Sequence, residues 1–398
     1  MRTNKLSIIL VLLLIISSGE LIYENYYSFA SVIFLAITLS IFIIKKKYKS
    51  ISAFTILWLL YFILVLLFNV IINNDEDLTH YLGVVITIIT VVLIKNIISF
   101  EGFKETYINL LFILCCISLL FYIMGVLIPW VVYLLPTVKS ISSPVVYKYA
   151  ILHSYRFEPV FFEFNSFNKN SSIFWEPGAY QLFLNLALFF EFKRNTLRKL
   201  RILIFVVGII STISTMGILL LGAILVTHTR KYLNKRIALL TISTTIIAII
   251  LMLSNLNLNS EGTSNTYYNM LFSKFDKTSN SYISYQSRMN NSIKDINIIL
   301  TKPLGVGYTN YINKYNMGGS ENSITSIWAV YGLLFAFPLY LGVIMMGFYK
   351  AGQKLNYYIL PLLILLSCLT EKFLYTPIVM YLALVPIDLI KNNKRLIK

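Results

Sequence analysis

Runs of apolar residues, each about as long as one bilayer crossing, alternate with short polar or basic breaks along nearly the whole chain. A helix needs about 20 mostly apolar residues to span the hydrocarbon layer. On that rule twelve crossings fall near 6–23, 27–44, 52–72, 81–99, 107–128, 176–192, 202–213, 216–228, 237–253, 323–348, 357–370 and 373–390. A membrane barrel would show short, strictly alternating segments instead, and that is not the pattern here. The expectation is an all-α polytopic membrane protein with about 12 transmembrane helices, forming a single integral membrane domain over 1–398.

Two layouts compete at 202–228. A single helix there would put the basic cluster Lys193, Arg194, Arg198, Lys199 and Arg201 on one side and Arg230, Lys231, Lys235 and Arg236 on the other. A hairpin with its tip at Ser211–Thr215 keeps both on one side, although each leg is short for a crossing. Its tip must then stop short of the far surface or meet a wet cavity. The hairpin also satisfies the positive-inside rule. With both termini cytoplasmic, 23 of the 34 Lys and Arg but only 4 of the 17 acids fall inside. Two long connections, about 129–175 and 254–322, then lie on the outer face. Long loops of this kind commonly carry function. In the second, Ile293, Ile296, Ile299 and Leu300 repeat with helical spacing, so a helix lying at the surface is expected there.

Composition agrees: 57% of residues are hydrophobic and only 13% charged. The net charge of +17 is dispersed in short clusters between apolar runs, so it orients a membrane protein and offers no nucleic-acid face. Cys115, Cys116 and Cys368 all sit in apolar runs and give neither a disulfide framework nor metal-ligand spacing. His80, His153 and His228 are scattered, so no metal centre and no cofactor are expected. No cytoplasmic segment offers a phosphate-cradling glycine loop, and a transferase built this way would not draw on a cytoplasmic nucleotide sugar.

The strongest local signal is Ser172-Ile173-Phe174-Trp175-Glu176-Pro177-Gly178-Ala179-Tyr180-Gln181, at the outer end of the sixth crossing. Physics alone allows a structural account: Trp175 suits an interfacial belt, Pro177 a first helical turn, and Glu176 the positive end of a helix dipole. Yet the string Phe-Trp-Glu-Pro-Gly-Ala-Tyr-Gln, followed by Leu-Phe-Leu-Asn-Leu-Ala-Leu, resembles the signature of the O-antigen and exopolysaccharide polymerases of the O-antigen ligase and polymerase family. Two further segments match in order. Ser214-Thr215-Met216-Gly217 is similar to the break in that family's next helix pair. Arg288, then Lys302-Pro303-Leu304-Gly305-Val306-Gly307-Tyr308 and Glu321-Asn322-Ser323, resemble its large extracytoplasmic loop. The likeness covers about 155–345; the flanking helices match only in hydrophobicity.

The resemblance implies a metal-independent membrane glycosyltransferase of GT-C-like architecture. Such an enzyme moves a growing glycan from undecaprenyl pyrophosphate onto another lipid-linked repeat unit, at the outer face of the bacterial plasma membrane. Its partners would be those lipid-linked glycans, with a flippase and a chain-length regulator nearby. A pyrophosphate leaving group calls for fixed positive charge, which arginine supplies as a planar, always-protonated fork. Arg156 and Arg288 are the outside arginines, one in each long loop. An acceptor hydroxyl calls for a base; Glu176, Glu158, Glu163 and Glu321 are candidates. Glu176 is favoured, either as that base or as an ion-pair partner that positions an arginine. Trp175, Asn322, Gly305, Gly307 and Tyr308 complete the expected site as substrate-binding positions. Two departures from the family pattern stand out. Asn322 occupies the place of a ligase histidine, which favours polymerisation over ligation. Thr215 and Met216 stand where an arginine is common. Glu371 and Lys372, between the last two crossings, either cap a short hairpin at the surface or face a central cavity, with the hairpin cap favoured. A lipid-linked oligosaccharide flippase or a ligase are the competing readings, though the pseudo-repeated halves usual in transporters are not evident.

Overall fold

A computed structural model describes residues 5–21, 23, 26–45, 51–139, 146–150, 152–157, 169–194, 196–229, 280–315, 320–348, 357–374 and 376–386. The expected crossing at 237–253, the first part of the second loop, and Glu158 and Glu163 lie outside the described residues.

Helices dominate. They are α1 (Lys5–Ile16), α2 (Tyr27–Ile44), α3 (Ala53–Asn73), α4 (Leu78–Ile97), α5 (Phe100–Leu127) and the short α6 (Pro129–Tyr133). After them come a small sheet and then α7 (Pro177–Phe192), α8 (Lys199–Ser211), α9 (Thr215–Thr229), α10 (Asn280–Thr301), α11 (Tyr308–Lys314), α12 (Ser323–Tyr331), α13 (Leu333–Met346), α14 (Ile359–Thr370) and α15 (Pro377–Leu384). Among the described residues α3, α4 and α5 are long and apolar enough to cross a membrane, with several shorter apolar helices beside them. Side-chain oxygens start all three: Ser52, Asp77 and Ser99 accept from the backbone amides of Thr55, His80 and Gly102. This satisfies one of the donors that a helix start leaves without an intrahelical partner.

Helix α7 is the axis. Every residue from Ala179 to Glu191 is buried, and α5, α8, α9 and α14 pack around it. A helix covered on all sides is a core element and not an amphipathic surface helix. The hairpin expected at 202–228 is the observed one. The Arg201 guanidinium lies over Phe112 at 5.0 Å, and Arg201 also donates to Asn109 at 2.7 Å. His228 stacks on Phe192 at 4.0 Å, at the C-terminal end of α7. The two legs thus begin and end at the same end of the bundle. The tip, with Ile213 at φ 48°, meets buried polar groups: Asn170 donates its backbone amide to the Ser211 carbonyl and its side-chain amide to the Ser211 hydroxyl, both at 3.0 Å.

Three expectations need correction. The first crossing is shorter than 6–23, because α1 ends at Ile16 and the chain turns through Ser17–Gly19. It then pairs Glu20 with Phe174 as an isolated bridge. The crossing at 323–348 is two helices broken at Gly332, φ 81°. The all-α expectation omitted a three-stranded antiparallel sheet of β1 (Thr137–Lys139), β2 (Val146–Ala150) and β3 (His153–Phe157) in the first long loop, ordered β1-β2-β3.

Candidate functional site

The start of α7 fixes the first wall. Pro177 takes the first helical position, and Glu176 before it is extended (φ −146°, ψ 153°), with no side-chain bond to the helix amides. Its carboxylate therefore does not cap α7. Trp175 is locked on both sides. Its amide donates to the Gly19 carbonyl at 3.3 Å, its carbonyl accepts the Tyr147 hydroxyl at 2.8 Å, and its ring lies 5.7 Å from that of Phe373. A Cβ on Gly19 would stand 2.7 Å from the Trp175 ring, so only glycine allows this approach.

The second loop brings Arg288 to the same place. Its Nη2 lies 3.8 Å from Glu176 Oε2 and its Nη1 3.9 Å from Glu371 Oε1. Nη1 also donates to the Thr370 carbonyl at 3.0 Å. That carbonyl belongs to the last turn of α14, where the helix dipole favours a cation. The residues come from three segments far apart in sequence, and burial rises from Arg288 (34% exposed) through Glu176 (23%) to Glu371 (4%). Glu371 is held from behind. The Ser323 hydroxyl lies 2.9 Å from the Glu371 carbonyl and accepts the amides of Phe373 and Leu374 at 3.2 Å. A Cβ on Gly178 would collide with Glu371 Oε1, so the glycine of the Glu-Pro-Gly segment makes room for this carboxylate.

Asn322 serves the site from beneath. Its Oδ1 accepts the amides of Ile324 and Thr325 at 3.0 and 3.4 Å, capping α12. Its Nδ2 donates to Ser292 Oγ at 3.2 Å, and Ser292 donates to the Arg288 carbonyl at 3.0 Å. The side chain expected to touch substrate is instead committed to joining α12 to the turn that carries Arg288. Glu321 stands next to it, half-buried.

Three of the four remaining expected residues lie at the far end of α12. Gly305 and Gly307 have φ of 86° and 80°, values at which a side chain is strained. A Cβ on Gly305 would strike the Val330 carbonyl, and one on Gly332 the Leu304 backbone, so the two strands of chain touch backbone to backbone. Gly307 faces Asp75 Oδ2, which a Cβ would approach to 2.5 Å. Tyr308 stacks on His80 with ring centroids 3.5 Å apart. The Pro-Leu-Gly-Val-Gly-Tyr turn thus clamps the α3–α4 junction onto the α12–α13 break, apart from the arginine cluster. Arg156 pairs with Tyr147 in the sheet register; its side chain lies outside the described residues.

Sequence reasoning missed three carboxylates. Glu371, read as a hairpin cap or as facing a cavity but given no place in the site, sits at a turn between α14 and α15 with its carboxylate buried beside Arg288. Asp75 belongs to the acidic run Asp75-Glu76-Asp77, which by itself pointed to no site. Asp295, fully buried on α10, accepts the hydroxyls of Tyr311 (3.0 Å), Tyr315 (2.6 Å) and Thr325 (2.7 Å). Burial raises its carboxyl above the usual range against the pull of those donors. An acid inside an otherwise periodic helix was the available signal.

Chemically, the cluster sets one fixed cation between two carboxylates, neither pair at hydrogen-bonding distance. A cation set between carboxylates can also receive an incoming oxyanion, and a carboxylate beside it can serve as a proton acceptor. Comparison with family models, with curated proteins and with solved structures finds no match to this chain.

Proposed function

We propose that this chain is a membrane polysaccharide polymerase that joins undecaprenyl-pyrophosphate-linked repeat units into a surface polysaccharide (O-antigen, capsule or exopolysaccharide). In this reading it is a multi-pass protein of the bacterial plasma membrane with twelve crossings and both termini cytoplasmic, working at the outer face. The observation that carries it is the meeting of Arg288 with Glu176 and Glu371. Two of the three segments were singled out by their likeness to such polymerases, and they converge although 112 positions separate Arg288 from Glu176. Arg288 holds the pyrophosphate of the donor as the glycosidic bond to it breaks. Glu176, the more exposed acid, takes the proton of the acceptor sugar hydroxyl. Glu371 and the Thr370 carbonyl keep the guanidinium aimed.

The test is a deletion strain complemented with variants. The deletion is expected to accumulate single lipid-linked units on the outer leaflet, and Arg288→Ala to fail to restore long chains. Units retained on the inner leaflet would identify a flippase, and long but unattached polymer a ligase. Normal chain length with Arg288→Ala would remove the arginine from the reaction.

A further inference from the structure

Helix α10 is divided lengthwise into three faces. With about 100° between successive residues, Arg288, Ser292, Asp295 and Ile298 share the face turned to the protein; Asp295 and Ile298 on it are fully covered. Met289, Ile293, Ile296 and Leu300 share a second face and are 53%, 47%, 45% and 76% exposed. Asn290, Lys294, Asn297 and Thr301 form a third, also exposed but polar. A helix on a water-soluble surface turns its apolar stripe inward. This one turns a carboxylate and a hydroxyl inward and four large apolar side chains outward, beside a separate polar strip.

We infer that α10 lies in the outer interface of the bilayer, with Met289, Ile293, Ile296 and Leu300 in the acyl boundary and Asn290, Lys294 and Asn297 in water. Continuity supports lipid as the occupant. The stripe leads to Leu304, itself 43% exposed. The Leu304 carbonyl accepts the Asn69 amide at 3.1 Å, at the end of α3, one of the helices long enough to cross a membrane. There α3 exposes Leu67, Phe68 and Ile71. The apolar surface of a crossing helix thus runs onto the stripe, and a helix with opposed apolar and polar strips lies flat at such a boundary. Arg288 is thereby set at headgroup depth, where any lipid-borne phosphate resides.

The experiment uses the full chain with Cys115, Cys116 and Cys368 replaced by alanine, in vesicles of phosphatidylethanolamine and phosphatidylglycerol. Single nitroxide labels go on cysteines at Ile293, Ile296, Asn290 and Asn297. Collision with oxygen and with a water-soluble nickel chelate is measured for each, after elution as a single species confirms folding. The ratio of oxygen to nickel accessibility should be several-fold higher at Ile293 and Ile296 than at Asn290 and Asn297. Equal ratios would put the stripe in water and overturn the inference. Protection of Ile293 from both probes would also overturn it, because protein and not lipid would then cover the face. Activity is not read, so the result stands whether or not the polymerase reading survives.

Discussion

Two carboxylate clusters sit at opposite ends of α12, and their difference separates scaffold from site. At the Gly307 end, Asp75 accepts the Tyr81 hydroxyl (3.0 Å), the Thr309 amide (3.1 Å), the Thr309 hydroxyl and the Asp77 amide (3.2 Å). Burial raises its carboxyl, but these donors outweigh burial and leave it below the ordinary value. It has no cation partner among these contacts and little acceptor capacity left. At the other end Glu176 and Glu371 face Arg288 at 3.8 and 3.9 Å, too far for hydrogen bonds. Asp75 is tied to neutral donors of the scaffold, whereas Glu176 and Glu371 share a cation, the kind of group an incoming oxyanion can address.

The sharpest way to break that comparison is Arg288→Lys. If the planar fork is what matters, polymer yield falls by about 100-fold or more, the scale of losing one transition-state donor, while the melting temperature in detergent stays within a degree or two. Gly307→Ala should do the reverse. Its Cβ must enter a left-handed backbone and press on Asp75 and Asn73, at a cost of roughly 2–4 kcal/mol, seen as a lowered melting temperature. Full stability in that variant would mean that the clamp is not what ties α3–α4 to α12.

Gly178→Ala probes the other cluster more finely. Displacing Glu371 should cost about 1–3 kcal/mol in activity or stability, and the same change in a Glu371→Ala background should cost nearly nothing. Additive losses would show that Glu371 is not what the glycine accommodates. The smallest effect is on pH dependence. Asp295, with its carboxyl raised, favours the fold most when protonated, so its contribution declines as pH rises from the ordinary carboxylate value through the raised one. Asp75, with its carboxyl lowered, contributes at neutral pH and loses that contribution as pH falls below the ordinary value. Melting curves of Asp295→Asn and Asp75→Asn against pH should lose these opposite slopes, one each.

Much of the bundle was legible because it is local. The start of α7 follows from Pro177 and the hairpin from charge clusters that had to share a side, whereas α5 starts at Phe100, ahead of the crossing expected from 107. The pairing of Glu176 with an outside arginine was one of two roles considered once the resemblance had singled out its motif. What periodicity could not give was anything fixed by a distant partner. Gly332 reads as an ordinary glycine in an apolar run until the Leu304 backbone presses on it. The sheet was legible only in part, since Ser154–Phe157 alternates polar and aromatic residues while Val146–Ala150 does not, and the neighbouring helices dominated the reading. Glu371 looked like a turn residue because a turn is what its neighbours form.

Gly305 and Gly332 meet without side chains, and a seam of bare backbone has no adjustable part. The chain from Arg288 to Gly305 consequently works as a fixed ruler, pinned at Thr370 at one end and at the Gly332 backbone at the other. Adding or deleting one residue between those pins would slide the arginine by about 1.5 Å along its helix and off its carbonyl. The number of residues in that interval is therefore what the bare seam holds constant.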